Sequence, residues 1–177
     1  MIFGVFFLNM KLPTYKIKKR QLSNPIKISK YATFKDLIKS ATAERLGIDN
    51  SPTDEHLLNS QILASEIYDK IVEKFKVKVY ISSFYRSRSL NEKIGGSKTS
   101  QHSLGMAMDL DADMNPELTN KDLFYFIKDN LEFDQLIWEF GTTEDPSWVH
   151  VSYNKNKNRN QLLRVANINN EIKYTTW

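Results

Sequence analysis

A chain of 177 residues, 41% hydrophobic and 12% aromatic, is long enough for one well-formed core, too short for two comfortable ones, and too apolar for disorder. It has no cysteine, which excludes disulfides, thiolate nucleophiles and cysteine-held metal. A net charge of +4, from 25 basic and 21 acidic residues, suits an anionic surface but is no signature of nucleic-acid binding, and no basic face interleaved with aromatics adds to it.

The chain opens on MIFGVFFLN, a strongly apolar stretch too short to span a bilayer. It lacks a basic lead and a small-residue cleavage site, so a buried strand or docked arm is expected there rather than stable membrane insertion. Residues 11–30 are basic, contain Pro13 and Pro25 and show no sustained period; together with the apolar start they read as a lead-in over 1–30. A helix is predicted over 34–45, with Thr33 and Asp36 as a capping box and Gly47 as its stop. A second helix is predicted over 54–75, where Leu57, Leu58, Ile62, Leu63, Ile67, Ile71 and Phe75 recur at helical spacing.

KVKVYISS over 76–83 alternates with period two and reads as a strand. Leu90 and Ile94 suggest a short helix ended by Gly95 and Gly96. LGMAMDLD is a second strand, with Met106, Met108 and Leu110 on one face and Gly105, Ala107, Asp109 and Asp111 on the other. Thr119 and Asp122 cap a helix over 120–130; FDQLIWEF (133–140) and WVHVSY (148–153) read as hairpin partners. NKNKNRN over 154–160 reads as a solvated loop, and the last residues as an edge strand or a packed tail of the same domain, which closes the chain over 154–177. Helices first and strands afterwards predict an α+β fold, a small antiparallel sheet flanked by N-terminal helices.

Two of the three histidines fall on this framework where chemistry is possible. His102 precedes the strand carrying Asp109, on the face with the smallest side chains, and His150 alternates with Val149 and Val151. Two imidazoles and a carboxylate make a sensible zinc set with a fourth position left open. On spacing alone, two satisfied structural histidines are the more expected reading and metal ligation the second. A calcium loop over Asp109, Asp111, Asp113 and Asn115 is disfavoured, because Met114 stands where such a loop needs glycine and Asn120 where it needs glutamate. The third histidine, His56, reads as a surface or capping residue in the first turns of a helix.

SSFYRSRSLNEKIGGSKTSQHSLGMAMDLD, then FDQLIWEF, then PSWVHVSY, resembles the zinc D-alanyl-D-alanine carboxypeptidase family, in its small single-domain branch, which shares a fold group with Hedgehog signalling domains. The pattern Ser-x-His-x-x-Gly-x-Ala-x-Asp is met by Ser100, His102, Gly105, Ala107 and Asp109, and the closing Trp-x-His by Trp148 and His150. The likeness extends over residues 31–153. It implies a Zn2+ ion held by His102, Asp109 and His150, and hydrolysis of a peptide bond in bacterial peptidoglycan, as a carboxypeptidase or endopeptidase at a D-amino-acid bond. Arg86 matches the family's arginine in the turn after the strand and would anchor a substrate carboxylate or stabilise charge on the scissile carbonyl. Ser100 and Trp148 are the further candidates for contact with substrate.

One departure matters. Many members carry a carboxylate three residues before the last histidine as general base, and this chain has Ser147 there. Glu139 is the first substitute, because a glutamate in so apolar a strand must find a partner or shift its pKa upward. Asp145 and Glu144, in the following loop, are the second. With no base at all, the chain would be a non-catalytic wall-binding or virion protein that kept the metal site. The family's habits further suggest a monomer of phage origin, reaching the cell wall from the virion or from the host cytoplasm at lysis.

Overall fold

The computed structural model describes residues 25–177. The apolar stretch at the start and most of the basic lead-in lie outside the described residues. Helix α1 (Phe34–Ile38) begins at the predicted capping box: the Thr33 hydroxyl accepts from the Asp36 amide while the Asp36 carboxylate accepts from the Thr33 amide. The predicted helix over 34–45 does not run through. Lys39 turns to an extended ψ of 124°, and the Ser40 hydroxyl accepts from the Ala43 amide to start α2 (Ala41–Leu46). A serine offered two helices in series caps the second rather than bridging them. Gly47, in the left-handed region at φ 63°, ends α2 as predicted.

The helix predicted over 54–75 is present as α3 (Asp54–Leu63) and α4 (Asp69–Phe75), joined without a break by a π turn over Ala64–Tyr68. Leu63 ahead of that turn, Ala64, Ile67 and Tyr68 within it, and Ile71 beyond it are all fully buried. The Tyr68 hydroxyl donates to the Val79 carbonyl at 2.7 Å and so ties the helix to the chain entering the sheet. Helices α5 (Arg88–Lys93) and α6 (Asn120–Asn130) follow where the sequence places them.

Six strands form one open sheet: β1 (Tyr80–Ser83), β2 (Ala107–Asp111), β3 (Gln135–Glu139), β4 (Trp148–Ser152), β5 (Gln161–Ile168) and β6 (Glu171–Thr176). Their order is β1-β2-β4-β3-β5-β6. All neighbours are antiparallel except β3 and β5, so the expected all-antiparallel sheet is corrected at one pairing while the α+β class stands. The cause lies in the segment read as a solvated loop. Arg159 grips the buried Asp134 carboxylate through its backbone amide and its guanidinium, both at 2.9 Å, and the Gln161 amide donates to the Asp134 carbonyl at 3.0 Å. These bonds bring the chain back to the start of β3, and β5 then runs alongside it. Asn169 and Asn170, at φ 54° and 64°, make the tight turn into β6.

Period two sorts the central strands cleanly. Met108 and Leu110 of β2, Val149 and Val151 of β4, and Leu136 and Trp138 of β3 enter one apolar cluster with Leu63, Ile67 and Ile71 from the α3–α4 unit and with Leu123, Phe124 and Ile127 of α6. The helices therefore cover one face of the sheet. The other face carries Asp109, His150 and Glu139.

Candidate metal centre

Asp109 and His150 are register partners on β2 and β4, and Ile137 of β3 continues the same row. Cross-strand partners stand side by side on one face, so residues far apart in sequence become neighbours. His150 Nδ1 lies 2.8 Å from Asp109 Oδ1. His102 arrives from outside the sheet, on a short 3-10 turn over Gln101–Leu104 that leads into β2. Its Nε2 is 3.2 Å from Asp109 Oδ1 and 3.3 Å from His150 Nδ1.

The turn carrying His102 is fixed on several sides. Its Nδ1 donates to the Phe84 carbonyl at 2.6 Å, which leaves the Nε2 lone pair directed at the other two residues. The His102 carbonyl accepts from the Arg86 amide at 3.2 Å, and the neighbouring Gln101 side chain donates to Asp134 at 2.8 Å. Gly105 closes the turn at φ 69°, where a β-carbon would run into the His56 carbonyl and the Ser60 hydroxyl of α3. The glycine of the sequence pattern is thus the residue that lets α3 pack against the turn.

All three side chains are buried. Burial lowers the pKa of His102, which holds its imidazole neutral. Burial would raise Asp109, but the interactions with His102 and His150 outweigh it and keep the carboxylate well below its usual range. Among the described residues this is the one group of three such side chains whose donor atoms converge. The fit to a metal can be tested on the spacing. Four ligands about 2.0–2.1 Å from a tetrahedral ion lie about 3.3–3.4 Å from one another. Two of the three donor separations, 3.2 and 3.3 Å, match that edge, and the third, at 2.8 Å, is hydrogen-bond short. A neutral imidazole with a free lone pair, a second imidazole and an ionised carboxylate suit a borderline-soft divalent cation.

Arg86 stands at the rim of the group. Its Nη2 donates to Asp109 Oδ2 at 2.7 Å and lies 3.3 Å from His102 Nε2, while its Nε donates to the Ser83 hydroxyl at 2.8 Å. The backbone on both sides of it is pinned by the buried Asn50, whose amide nitrogen donates to the Tyr85 carbonyl and whose amide oxygen accepts from the Ser87 amide. Nothing in the sequence singles out Asn50, one of three consecutive polar residues, Asp49 to Ser51, ahead of Pro52.

Glu139 is on the same face one pleat along β3, opposite Trp148 of β4. Burial raises its pKa; the His150 interaction opposes this and the Asp109 charge adds to it, for a value of about 7. Immediately after it Phe140 and Gly141 take the left-handed region, at φ 52° and 69°, and the Phe140 ring packs on Trp148 at 5.2 Å between centroids. A β-carbon on Gly141 would run into the Asp145 carbonyl. That backbone reversal brings β4 back beside β3.

The remaining candidates are placed elsewhere. The Asp145 carboxylate accepts from the Lys121 amide at 2.6 Å, in the first turn of α6, and Glu144 is exposed and 3.5 Å from the Lys121 ammonium. Neither belongs to the group around Asp109. Ser100 opens the 3-10 turn, and its side chain makes no hydrogen bond to the three central residues. His56 sits in the first turn of α3 with Nδ1 3.2 Å from the Tyr85 hydroxyl. Asp111, Asp113 and Asn115 serve a turn: Asp111 accepts from the Asp113 amide and Asn115 from the Glu117 amide. No described helix is long and apolar enough to cross a membrane.

Comparison with known proteins bears on this same region. A search of curated proteins gives no match. The sequence profile of the Peptidase M15 family matches residues 30–152, well over half of the 177-residue chain. The match takes in the strand-borne Asp109 and His150, the turn bearing His102, and both Arg86 and Glu139, and it ends at the last residue of β4. A buried two-histidine, one-aspartate group suited to a metal thus lies inside a matched metallopeptidase domain, and the chain belongs to the Peptidase M15 family.

Proposed function

We propose that the protein is a zinc peptidase acting on peptide bonds of bacterial peptidoglycan stem peptides, with His102, Asp109 and His150 as metal ligands. The observation that carries this reading is the placement of Glu139, with a pKa of about 7, on the same sheet face as the three converging donors. When bound, the zinc ion supplies Lewis acidity that polarises the scissile carbonyl and acidifies water.

Glu139 acts as the general base. A carboxylate that burial makes more basic than usual is the better acceptor of a proton from water, and once protonated it can return that proton to the leaving amine. The Arg86 guanidinium has donors on its fork beyond the one committed to Asp109, and these bind a substrate carboxylate or the oxyanion that develops at the carbonyl. Trp148 stands opposite Glu139, packs on the Phe140 ring and forms part of the floor under the peptide. Ser100 is assigned to substrate contact by its place in the sequence pattern. Acceptance of a D-amino-acid bond, as in a carboxypeptidase or an endopeptidase, follows the same resemblance.

Ser147, standing where many relatives place the base, favours a second reading, a wall-binding protein that keeps the metal site without turnover. Mass spectrometry of peptidoglycan and free stem peptides, after incubation with zinc-loaded and with chelator-stripped protein, separates the two. Zinc-dependent release of a defined fragment is expected and identifies the bond. Folded, zinc-loaded protein that releases nothing from several wall chemistries would leave the binding reading.

A further inference from the structure

The family match ends with β4, but the sheet does not. Beyond Glu139 the row continues through Val165 of β5 to Tyr174 of β6, so Trp148, Glu139, Val165 and Tyr174 stand in line across four strands. Ile172 lies one pleat from Tyr174 on the same face of β6. Val165 is buried, whereas Tyr174 and Ile172 are 60% and 62% exposed. Partial burial and the negative charges of Glu139 and Asp109 raise the Tyr174 phenol above its ordinary value, so its hydroxyl remains a donor.

An exposed edge strand that wanted only solubility would present charge on both faces. Here Glu171 and Lys173 supply charge to one face of β6, and the face continuous with the metal centre receives an isoleucine and a tyrosine. We propose that the β5–β6 hairpin is the far wall of the substrate cleft, where Tyr174 and Ile172 hold a peptide residue three or four positions from the scissile bond. This rests on the peptidase reading of the site.

Strand spacing sets the length. Glu139 and Tyr174 stand in one row two strands apart, about 10 Å at about 4.8 Å per strand. An extended peptide advances about 3.4 Å per residue and needs about three residues to cover that distance. Direction follows from Arg86, which borders the centre on the side of β1 and β2. A terminal carboxylate held there sends the rest of the peptide across Glu139 towards β6. The enzyme then favours peptides longer than a dipeptide, through contacts that an aromatic ring with a donor hydroxyl and a branched aliphatic chain can make to an apolar residue and its backbone.

The test is equilibrium binding of the dipeptide D-Ala-D-Ala and of a stem pentapeptide ending in it. Zinc-loaded Glu139→Gln protein, which does not consume them, is compared with Glu139→Gln/Tyr174→Ala and Glu139→Gln/Tyr174→Phe. The pentapeptide is expected to bind about tenfold tighter than the dipeptide, and Tyr174→Ala to shrink that ratio to about twofold, with Tyr174→Phe between them. A ratio unchanged by Tyr174→Ala, no preference for the longer peptide, or no binding of either overturns the proposal. Hydrolysis of the same peptides by the unmutated protein reports separately on the peptidase reading. An active enzyme whose length preference ignores Tyr174 removes the hairpin's role alone, and an inactive protein with a Tyr174-dependent preference removes the chemistry alone.

Discussion

On one face of β2, β4 and β3 stand Met108, Leu110, Val149, Val151, Leu136 and Trp138, each at most 1% exposed. On the other face of the same strands stand Asp109, His150 and Glu139, with Ala107, Ser152 and Ile137 filling the row. A single alternation therefore builds the core and aims the polar groups, and packing on the first face limits how far the second can move. The two faces also differ in what a substitution should cost. Loss from the apolar face is read as stability, and loss from the polar face as chemistry.

The largest effect is expected from His150→Ala. Metal content should fall from one ion per chain to near zero, and any zinc-dependent hydrolysis by more than about 10³-fold, with far-UV circular dichroism retained. Bound zinc at full stoichiometry in this variant would remove His150 from the ligand set. Glu139→Gln comes next. It should keep the metal and lose about 10²- to 10⁴-fold in turnover, together with the acid limb of the pH–rate profile. That limb arises because only the ionised carboxylate accepts a proton, so activity drops as pH falls through the Glu139 pKa. The value of about 7 applies without metal, and a bound cation moves the limb to lower pH.

Leu136→Ala tests the opposite face. Its side chain is fully buried beneath the row that holds His150, and truncation should cost about 2–5 kcal/mol in urea unfolding. The variant that remains folded should bind zinc with unchanged stoichiometry. Weakened zinc binding out of proportion to lost stability would show that the two faces are less independent than the alternation suggests.

The sequence makes this arrangement legible to different depths. Alternation in LGMAMDLD and WVHVSY is enough to put Asp109 and His150 on faces opposite the apolar residues, because period two needs no partner strand. It does not say that the two strands pair, still less that Asp109 faces His150; that depends on where the chain returns after a helix and a loop. Only the resemblance joins them. The break between α1 and α2 is visible in hindsight at Ser40, whose capping bond competes with helix continuation. The β5–β6 hairpin, where the sequence predicts a single edge strand or a tail, has a local signal at its turn. Asn169 and Asn170 are the residue type that tolerates two successive positive φ values, but β5 pairs its apolar residues as Leu162–Leu163 and Val165–Ala166 instead of alternating them, and β6 is mostly polar. In sequence Arg159 is one more cation in a polar run, since its partner Asp134 lies 25 residues away.

The polar face also carries a cost that the apolar face does not. In metal-free protein the folded Glu139 pKa of about 7 lies above its ordinary 4.5, so folding favours the protonated form. Stability should therefore be full below pH 4.5 as far as this group is concerned and decline as pH rises from there through about 7. Because Glu139 is partly exposed, solvent reduces the expected loss to about 1–2 kcal/mol between pH 5 and pH 8. Metal-free Glu139→Gln should lack this decline. Chemical denaturation of both chelated proteins at the two pH values measures it, and parallel curves would place Glu139 in a more hydrated setting than its neighbours imply.

The smallest effect separates Glu139 from Asp145, two of the three carboxylates that the sequence leaves in competition. Asp145 accepts from the Lys121 amide, one of the donors at the start of α6 that the helix itself cannot satisfy. Asp145→Ala leaves that donor to solvent and should cost about 1 kcal/mol, as loss of a helix cap does. If its carboxylate serves only α6, the acid limb of the rate profile should keep its midpoint and turnover should stay within about twofold. A base assignment at Asp145 demands the reverse, a lost limb with little change in stability. Measured beside Glu139→Gln, the pair forms a crossed comparison in which each variant should move the quantity the other leaves alone. A carboxylate committed to a helix terminus is held by its partner in a low-energy pose facing away from the sheet row. Among the described residues the Glu139 side chain has no such partner.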